Sequence, residues 1–379
     1  MKKVQKPYKI YLSPPHMAGE ERRFIDEAFK ANYIAPSGPQ ITGFEKDIQN
    51  YLNDRVKVAC LNSGTSAIHL ALKLVGVKKG DEVICQSNTF AATAFPILYQ
   101  SAIPIFIDSE TDTYNLSPRL LKKAIKERSE VGKKPAAIIA VHLYGMPFKV
   151  DEIKKIALDF KIPLIEDGAE ALGSEYKGKK CGTFGDFSVI SFNGNKIITT
   201  SAGGALVCRS EHAKNKTIQL ATQANTGNNE YHHEEVGYNY RISNIAAAIG
   251  RGQMLSLDKF VQKRRSNFQN YKEGLKSIKE IKFLEEPEGF LSNRWLTTII
   301  TESQRIRNAL MKFLSDKNIE CRPMWKPLHL QPVFEDYPAY INGCSEQLSE
   351  NGLCLPSGSN LNEADMDRII KIIREFYSA

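Results

Sequence analysis

Between residues 56 and 165, short apolar runs alternate with helical patterns. This alternation restricts the fold more than any other feature of the chain. Residues 56–61, 82–86, 103–107, 136–142 and 163–165 read as strands, rich in Val, Ile, Ala and Leu. Residues 65–75, 91–99, 120–127 and 151–160 read as helices between them, and 65–75 has little polar surface. Strands separated by helices form βαβ units, so the spacing predicts an α/β fold: a mainly parallel sheet with both faces covered. Ligands of such sheets sit beyond the carboxyl ends of the strands. Polar residues at those ends are therefore the first candidates for function.

The flanks extend this pattern. An amphipathic helix is expected over 20–30, a loop over 33–43 and a second helix over 44–52. After the alternating region come strands at 187–192 and 205–208, a helix near 214–224 and a polar, His-containing loop over 225–239. A buried Ala/Gly-rich helix, 244–255, and a long amphipathic helix, 257–275, follow. Strands at 294–300 and 319–324 with helices at 305–315 and 363–377 predict a smaller C-terminal α+β domain. The expected division is a large domain over 1–259 and a small one over 260–379. A chain of 379 residues, 42% hydrophobic, has the apolar content for more than one such core.

Charge and cysteine usage exclude several classes. The net charge of +8 is spread along the chain and suits an anionic small substrate. No dense Lys/Arg block or interleaved aromatic pattern points to nucleic acid. Seven scattered cysteines, without a CxxC pair or metal-ligand spacing, imply reduced thiols in a cytoplasmic protein. The basic start, MKKVQKPYKIYLSPP, lacks an apolar segment and no stretch reaches membrane-spanning length, so neither export nor insertion is expected.

Five short stretches carry the chemistry. In Gly185–Gly204, a β-prone run delivers Ser191, then a polar turn, then Lys196 followed by Ile197 and Ile198. Poor solvation favours the neutral amine, which is a nucleophile towards aldehydes; the alternative is a surface lysine in a β-turn. Asn62-Ser63-Gly64-Thr65-Ser66 joins a strand to a helix and offers hydroxyls, amides and a positive helix end to a phosphate, or simply an N-cap. No GxxxxGK[ST] and no GxGxxG after a strand supports nucleotide hydrolysis or dinucleotide binding. Asp167 and Glu170, in IEDGAE, follow an apolar strand; a carboxylate there holds a heteroaromatic nitrogen protonated, binds a metal or caps a helix, and no ligand cluster favours the metal. Phe90 is either a ring-stacking aromatic or core. Gly237–Asn244 is dense in polar groups, among them Asn239 and Arg241, which suit an anion. His232 and His233 read as loop residues, and His329 as facing a cleft between domains. A phosphate cradle, a carboxylate, a stacking aromatic and a lysine together are what pyridoxal phosphate requires.

With these residues in view the chain resembles the DegT/DnrJ/StrS family of sugar aminotransferases, of aspartate-aminotransferase (fold type I) architecture. The likeness runs from GPQITGFEKDIQNYL through LNSGTSAIHLAL, EDGAEALG, SFNGNK and GYNYRISN to WKPLH. Within the family the strings YLSPPHM, NYIAP, NGNKIITTS, NRWL and CLPSG look most like enzymes that aminate UDP-4-keto-6-deoxy-N-acetylglucosamine on the route to bacillosamine. The resemblance implies that Lys196 binds the cofactor covalently, Asp167 partners its pyridine nitrogen, Glu170 lies beside its ring hydroxyl and Phe90 stacks on it. Gly64, Thr65 and Ser191 match phosphate contacts. Asn239 matches a contact made from the other subunit, which implies a homodimer with shared sites. His329, Arg241, Asn293 and Arg294 match the region that meets the nucleotide sugar.

Three positions depart from the commoner pattern: Glu170 in place of Gln, Ser201-Ala202-Gly203-Gly204 in place of GEGG, and Gly168 in place of Ala. The implied reaction is ping-pong transfer of an amino group from an amino acid, L-glutamate by expectation, to a UDP-linked 4-keto-6-deoxy-N-acetyl sugar. Another dTDP- or GDP-linked 3- or 4-keto-6-deoxy sugar is the alternative acceptor. The family's dehydratases carry histidine where Lys196 stands, and a non-catalytic regulator would have lost Lys196 or Asp167.

Overall fold

In the computed structural model the described residues are 8–53, 55–226 and 231–378. The basic residues 1–7 and part of the 225–239 loop lie outside them. Seven strands of the amino-terminal two-thirds are β1 (Lys57–Leu61), β2 (Glu82–Gln86), β3 (Ile103–Ile107), β4 (Ala137–Val141), β5 (Leu164–Asp167), β6 (Phe187–Ser191) and β7 (Gly204–Cys208). They form an eight-stranded sheet in the order β1-β7-β6-β5-β4-β2-β3, with Ala339–Tyr340 from the C-terminal region added in parallel beside β3. The strands from β3 to β6 pair in parallel. Only β7 runs antiparallel, to both of its neighbours.

This is the expected α/β architecture, and the burial explains the sequence pattern. β2 and β4 are buried at every position, as strands covered on both faces must be. The helix Gly64–Leu74 buries most of its length against the sheet, which is why it shows so little polar surface. A separate four-stranded antiparallel sheet comprises Lys282–Phe283, Thr297–Ile300, Gly352–Leu355 and Arg322–Pro323. Its core draws on the helices Leu257–Leu275, Gln304–Asp316 and Glu363–Tyr377, and on Ile10 from the other end of the chain.

Several expected boundaries move, each for a local reason. The helix expected over 91–99 is broken into a 3-10 turn, Ala91–Thr93, and a short helix, Phe95–Tyr99. Pro96 has no N–H to continue the first segment, and proline is tolerated in the first turn of a new helix. The second helix begins at Pro39 rather than 44, since proline suits a first helical turn. The strand expected from 294 starts at Thr297, because Arg294 adopts a left-handed φ of 53°. The strand expected over 319–324 shortens to Arg322–Pro323.

One register positions the site. Gly204 is opposite Ser191 on one side and Leu61 on the other. The end of β6, the start of β7 and the end of β1 therefore lie side by side. A Cβ on Gly204 would fall 2.4 Å from the Gly64 nitrogen, so only glycine lets the helix Gly64–Leu74 start this close to the sheet.

Glu166, near the end of β5, anchors the same edge from the opposite face. It is fully buried and accepts hydrogen bonds from Phe184 N (2.7 Å), Gly185 N (3.1 Å), Ser188 Oγ (2.6 Å), Gly182 N and His142 Nε2 (2.8 Å). Burial pushes its pKa up, but the bonds from His142, Ser188 and Gly182 outweigh burial and hold it at about 2. A depressed folded-state pKa adds stability that is present above the ordinary value of 4.5 and is lost as pH falls towards about 2. Glu166→Gln is expected to cost about 3 kcal/mol at neutral pH and to flatten the acid limb, measured by denaturant melts between about pH 7 and pH 3.

Candidate active site

A cavity of about 830 Å³ opens at the carboxyl ends of the strands. Its floor is the β1–β7–β6 junction. Ser63 caps the helix Gly64–Leu74, accepting from Ser66 N at 3.0 Å, so the N-cap reading of this stretch holds. Gly64 and Thr65, in the first turn of that helix, line the cavity together with Ser191. Helix-start amides without intrahelical acceptors, the hydroxyls of Thr65 and Ser191 and a positive helix end make an anion cradle there.

Asp167 closes β5 and faces the same cavity. Its carboxylate accepts from Thr93 Oγ1 at 2.8 Å and from Ala169 N at 3.1 Å. Burial raises its pKa; the bonds from Thr93 and Ala169 and the charge of Lys196 oppose that shift. Such a carboxylate is poised to pair with a protonated ring nitrogen, which would supply the charge that burial withholds.

Lys196 emerges from the turn after β6, with its backbone N–H bonded to Asn193 O at 3.0 Å. Its Nζ lies 3.2 Å from Glu170 Oε1 and 4.0 Å from the centroid of the Trp295 ring. It is not the surface lysine of a plain β-turn: its side chain is only 12% exposed. The other oxygen of Glu170 accepts from Tyr144 N at 2.7 Å. Tyr144 achieves this with a φ of 53°, which is unusual for a bulky residue and turns its amide onto the carboxylate. Burial pushes the Glu170 carboxyl up to about 7, against the pull of Lys196 and the Tyr144 amide. Phe90 is 57% exposed, which removes the core reading; its ring lines the cavity 5.6 Å from Trp325.

The other expected contacts fall elsewhere. Asn239 is exposed and outside this cavity, and its carbonyl accepts from Asn62 Nδ2 at 3.2 Å. The four residues expected to meet a nucleotide sugar are likewise not among those lining it in one copy of the chain. Arg241 is paired with the buried Glu45 and bonded to Cys60 O. Asn293 donates to the Glu170 and Leu172 carbonyls at 2.8 and 2.9 Å. Arg294 lies over the Phe268 ring, 3.6 Å from its centroid, and donates to Leu284 O. His329 is held between Ser87 Oγ (2.6 Å) and Glu346 Oε1 (3.2 Å). Each of the four has a polar partner within its own chain.

Sequence reasoning missed Thr93, Tyr144, Trp295, Trp325 and the segment Tyr11–Pro15. Ring contacts tie Tyr144 to Trp325 (4.9 Å) and Trp295 to Trp325 (6.1 Å), making one aromatic wall. The string NRWL was visible, but nothing in it indicates that Trp295 faces Lys196. The buried trio His142, Glu166 and Cys181 is close enough to suggest a metal. His142 is already engaged: Nδ1 accepts from Phe148 N, which leaves Nε2–H to donate to Glu166.

The sequence profile of the DegT/DnrJ/EryC1/StrS aminotransferase family matches residues 15–374. EpsN of Bacillus subtilis strain 168, named as a candidate pyridoxal phosphate-dependent aminotransferase, is 48% identical over 373 residues, 97% of this chain and 96% of its own. GDP-perosamine synthase of Escherichia coli O157:H7 is 35% identical over 372 residues, 97% and 99% of the two chains. UDP-4-amino-4,6-dideoxy-N-acetyl-beta-L-altrosamine transaminase of Campylobacter jejuni is 38% identical over 245 residues, 63% of each. Spr1654 of Streptococcus pneumoniae, a candidate sugar aminotransferase solved in its PMP form, superposes with a TM-score of 0.90 at 27% identity, covering 98% of this chain and 99% of that one. The fold, the lysine-bearing cavity and these likenesses agree: the chain belongs to the DegT/DnrJ/EryC1/StrS aminotransferase family and is a pyridoxal-phosphate-dependent sugar aminotransferase.

Proposed function

We propose that this cavity moves an amino group from L-glutamate to a UDP-linked 4-keto-6-deoxy-N-acetyl sugar. The observation that carries the reading is the contact of the Lys196 amine with Glu170 in a cavity that also holds the buried Asp167. The lining fits pyridoxal phosphate: an anion cradle at Gly64, Thr65 and Ser191, a carboxylate for the ring nitrogen at Asp167 and an exposed ring at Phe90. The cofactor supplies the electron sink that amino transfer requires. Lys196 would hold it covalently and, once released, would carry a proton to and from the reacting carbon as general base and acid. Glu170 orients Lys196 and would lie beside the ring hydroxyl of the bound cofactor. The aromatic wall keeps water from the reacting atoms.

The UDP-linked, N-acetylated acceptor draws support from the likeness to the Campylobacter jejuni transaminase. The likeness to GDP-perosamine synthase supports a GDP-linked acceptor as the second reading. Asn239, exposed and away from its own chain's cavity, supports a homodimer in which each copy completes the other's site. We also assign residues 1–259 to the cofactor domain and 260–379 to the small domain, on the core that, Ile10 apart, draws its buried residues from Tyr271 onward. All seven cysteines are free thiols, which supports a cytoplasmic location; no described helix is long and apolar enough to cross a membrane.

Three measurements check this reading. With pyridoxal phosphate bound, glutamate is expected to bleach the absorbance of the lysine-bound cofactor, and UDP-4-keto-6-deoxy-N-acetylglucosamine to restore it. Restoration by the GDP-linked keto-sugar alone selects the second reading, and Lys196→Ala is expected to abolish both changes. For the shared site, mixing Lys196→Ala with Asn239→Asp protomers is expected to recover about a quarter of the wild-type rate if the copies exchange at random, because one wild-type site then survives in half of the dimers. No recovery, with exchange demonstrated by mass, counts against sharing. For Glu170, the sign is that of a raised carboxyl. Charging it costs the folded state stability as pH rises from about 4.5 to about 7, and the cost persists above. Glu170→Gln is therefore expected to flatten the change in apoenzyme melting temperature between about pH 5 and pH 8.

A further inference from the structure

Lys196 is also held from a side that the roles above leave unused. Trp295 is 2% exposed. Its indole Nε1–H donates to Asn195 O at 2.7 Å, the carbonyl immediately before the lysine, and its ring lies 4.0 Å from Lys196 Nζ. The same carbonyl accepts from Ser13 Oγ at 2.8 Å. Behind both stands the buried Arg264, donating to Trp295 O at 2.6 Å and to Ser13 Oγ at 3.0 Å. The Trp295 backbone N–H donates to Asn293 Oδ1 at 2.9 Å, and Asn293 in turn holds the carbonyls of Glu170 and Leu172. A Cβ on Gly145 would lie 1.9 Å from that Oδ1, so the clamp depends on glycine there. Asn293 thus ties Trp295 to the backbone of Glu170, and Trp295 in turn holds the carbonyl before Lys196.

A lysine on a flexible four-carbon stem has many rotamers, whereas a base that shuttles a proton must return to one geometry at every turnover. An aromatic face attracts an ammonium group, and a hydrogen-bonded carbonyl fixes the backbone from which the stem departs. We propose that Trp295 is a positioning residue for Lys196: its N–H fixes the Asn195 carbonyl, and its ring face holds the freed amine beside Glu170. This rests on the proposed role of Lys196. The charged and titratable groups around that amine and its carboxylate partner are Glu170 and Asp167 from the β5 end, Tyr144 from the β4 end and Cys354 from the C-terminal sheet.

The test uses the full-length enzyme and separates the two contacts of the indole. Trp295→Phe keeps a ring and loses the N–H donor; Trp295→Leu loses both; Ser13→Ala weakens the same carbonyl anchor without opening a large cavity. Two rates are followed: covalent loading of Lys196 by added pyridoxal phosphate, read by absorbance and by borohydride fixation with peptide mass, and bleaching by glutamate. Loading and bleaching are expected to slow about threefold in Ser13→Ala, about tenfold in Trp295→Phe and more in Trp295→Leu, with the KM for glutamate within about twofold of wild type. Wild-type rates in both Trp295 variants overturn the proposal. Should Trp295→Leu fail to fold, unchanged rates in Trp295→Phe and Ser13→Ala overturn it equally. Wild-type protein that loads at a residue other than Lys196 overturns the role of Lys196 instead.

Discussion

Burial of charge at the end of β5 governs the arrangement of the site. Glu166 and Asp167 are neighbours on one strand, so their side chains leave opposite faces of the sheet. Glu166 receives three backbone amides, a serine hydroxyl and an imidazole, and stays charged as a fixed structural anion. Asp167 receives one hydroxyl and one amide and faces a cavity. The fold satisfies the first carboxylate completely and leaves the second with capacity for a partner that arrives from outside. Glu170, three residues on, is in the same condition, pushed up to about 7 and answered by Lys196. Two underserved carboxylates and one amine are what the scaffold holds ready.

The α/β layering was legible because it is written in local periodicity. Alternating strand and helix patterns need no long-range information, and β2, β3 and the helix Leu257–Leu275 have the bounds expected from sequence. Lys196, Asp167, Gly64 and Ser191 were legible for a related reason: each lies at a strand end or in the turn after it, where an α/β sheet presents its ligand site. Elements only two residues long, such as Lys179–Lys180, leave no such signature.

The rest of the site is long-range. Trp295 reaches Asn195 across a hundred residues of chain, and Thr93 reaches Asp167 across 74. No spacing rule within one sequence encodes such contacts. Arg241, Arg294, Asn293 and His329 show the converse difficulty. A polar residue in a suggestive string has the same letters whether it meets a ligand or pays for its own burial. Glu45 takes Arg241, and two carbonyls take Asn293; neither partner lies near them in the chain.

The crossing of segments between the two sheets has a mechanical consequence. Ile10, from the amino-terminal end, bridges to Ile319 beside the C-terminal sheet, while Ala339–Tyr340 returns from the C-terminal region to the edge of the large sheet. The two bodies are laced together in both directions. A hinge that swung one away from the other would have to unzip backbone pairing at an outer strand and withdraw an apolar side chain from a core. The lacing also covers the outer edge of β3, which would otherwise offer a row of free amides and carbonyls to a neighbouring molecule. The cavity is therefore not reached by opening the body as a whole, and Tyr11–Pro15 in its lining is itself held, through Ser13, to the Asn195 carbonyl and Arg264.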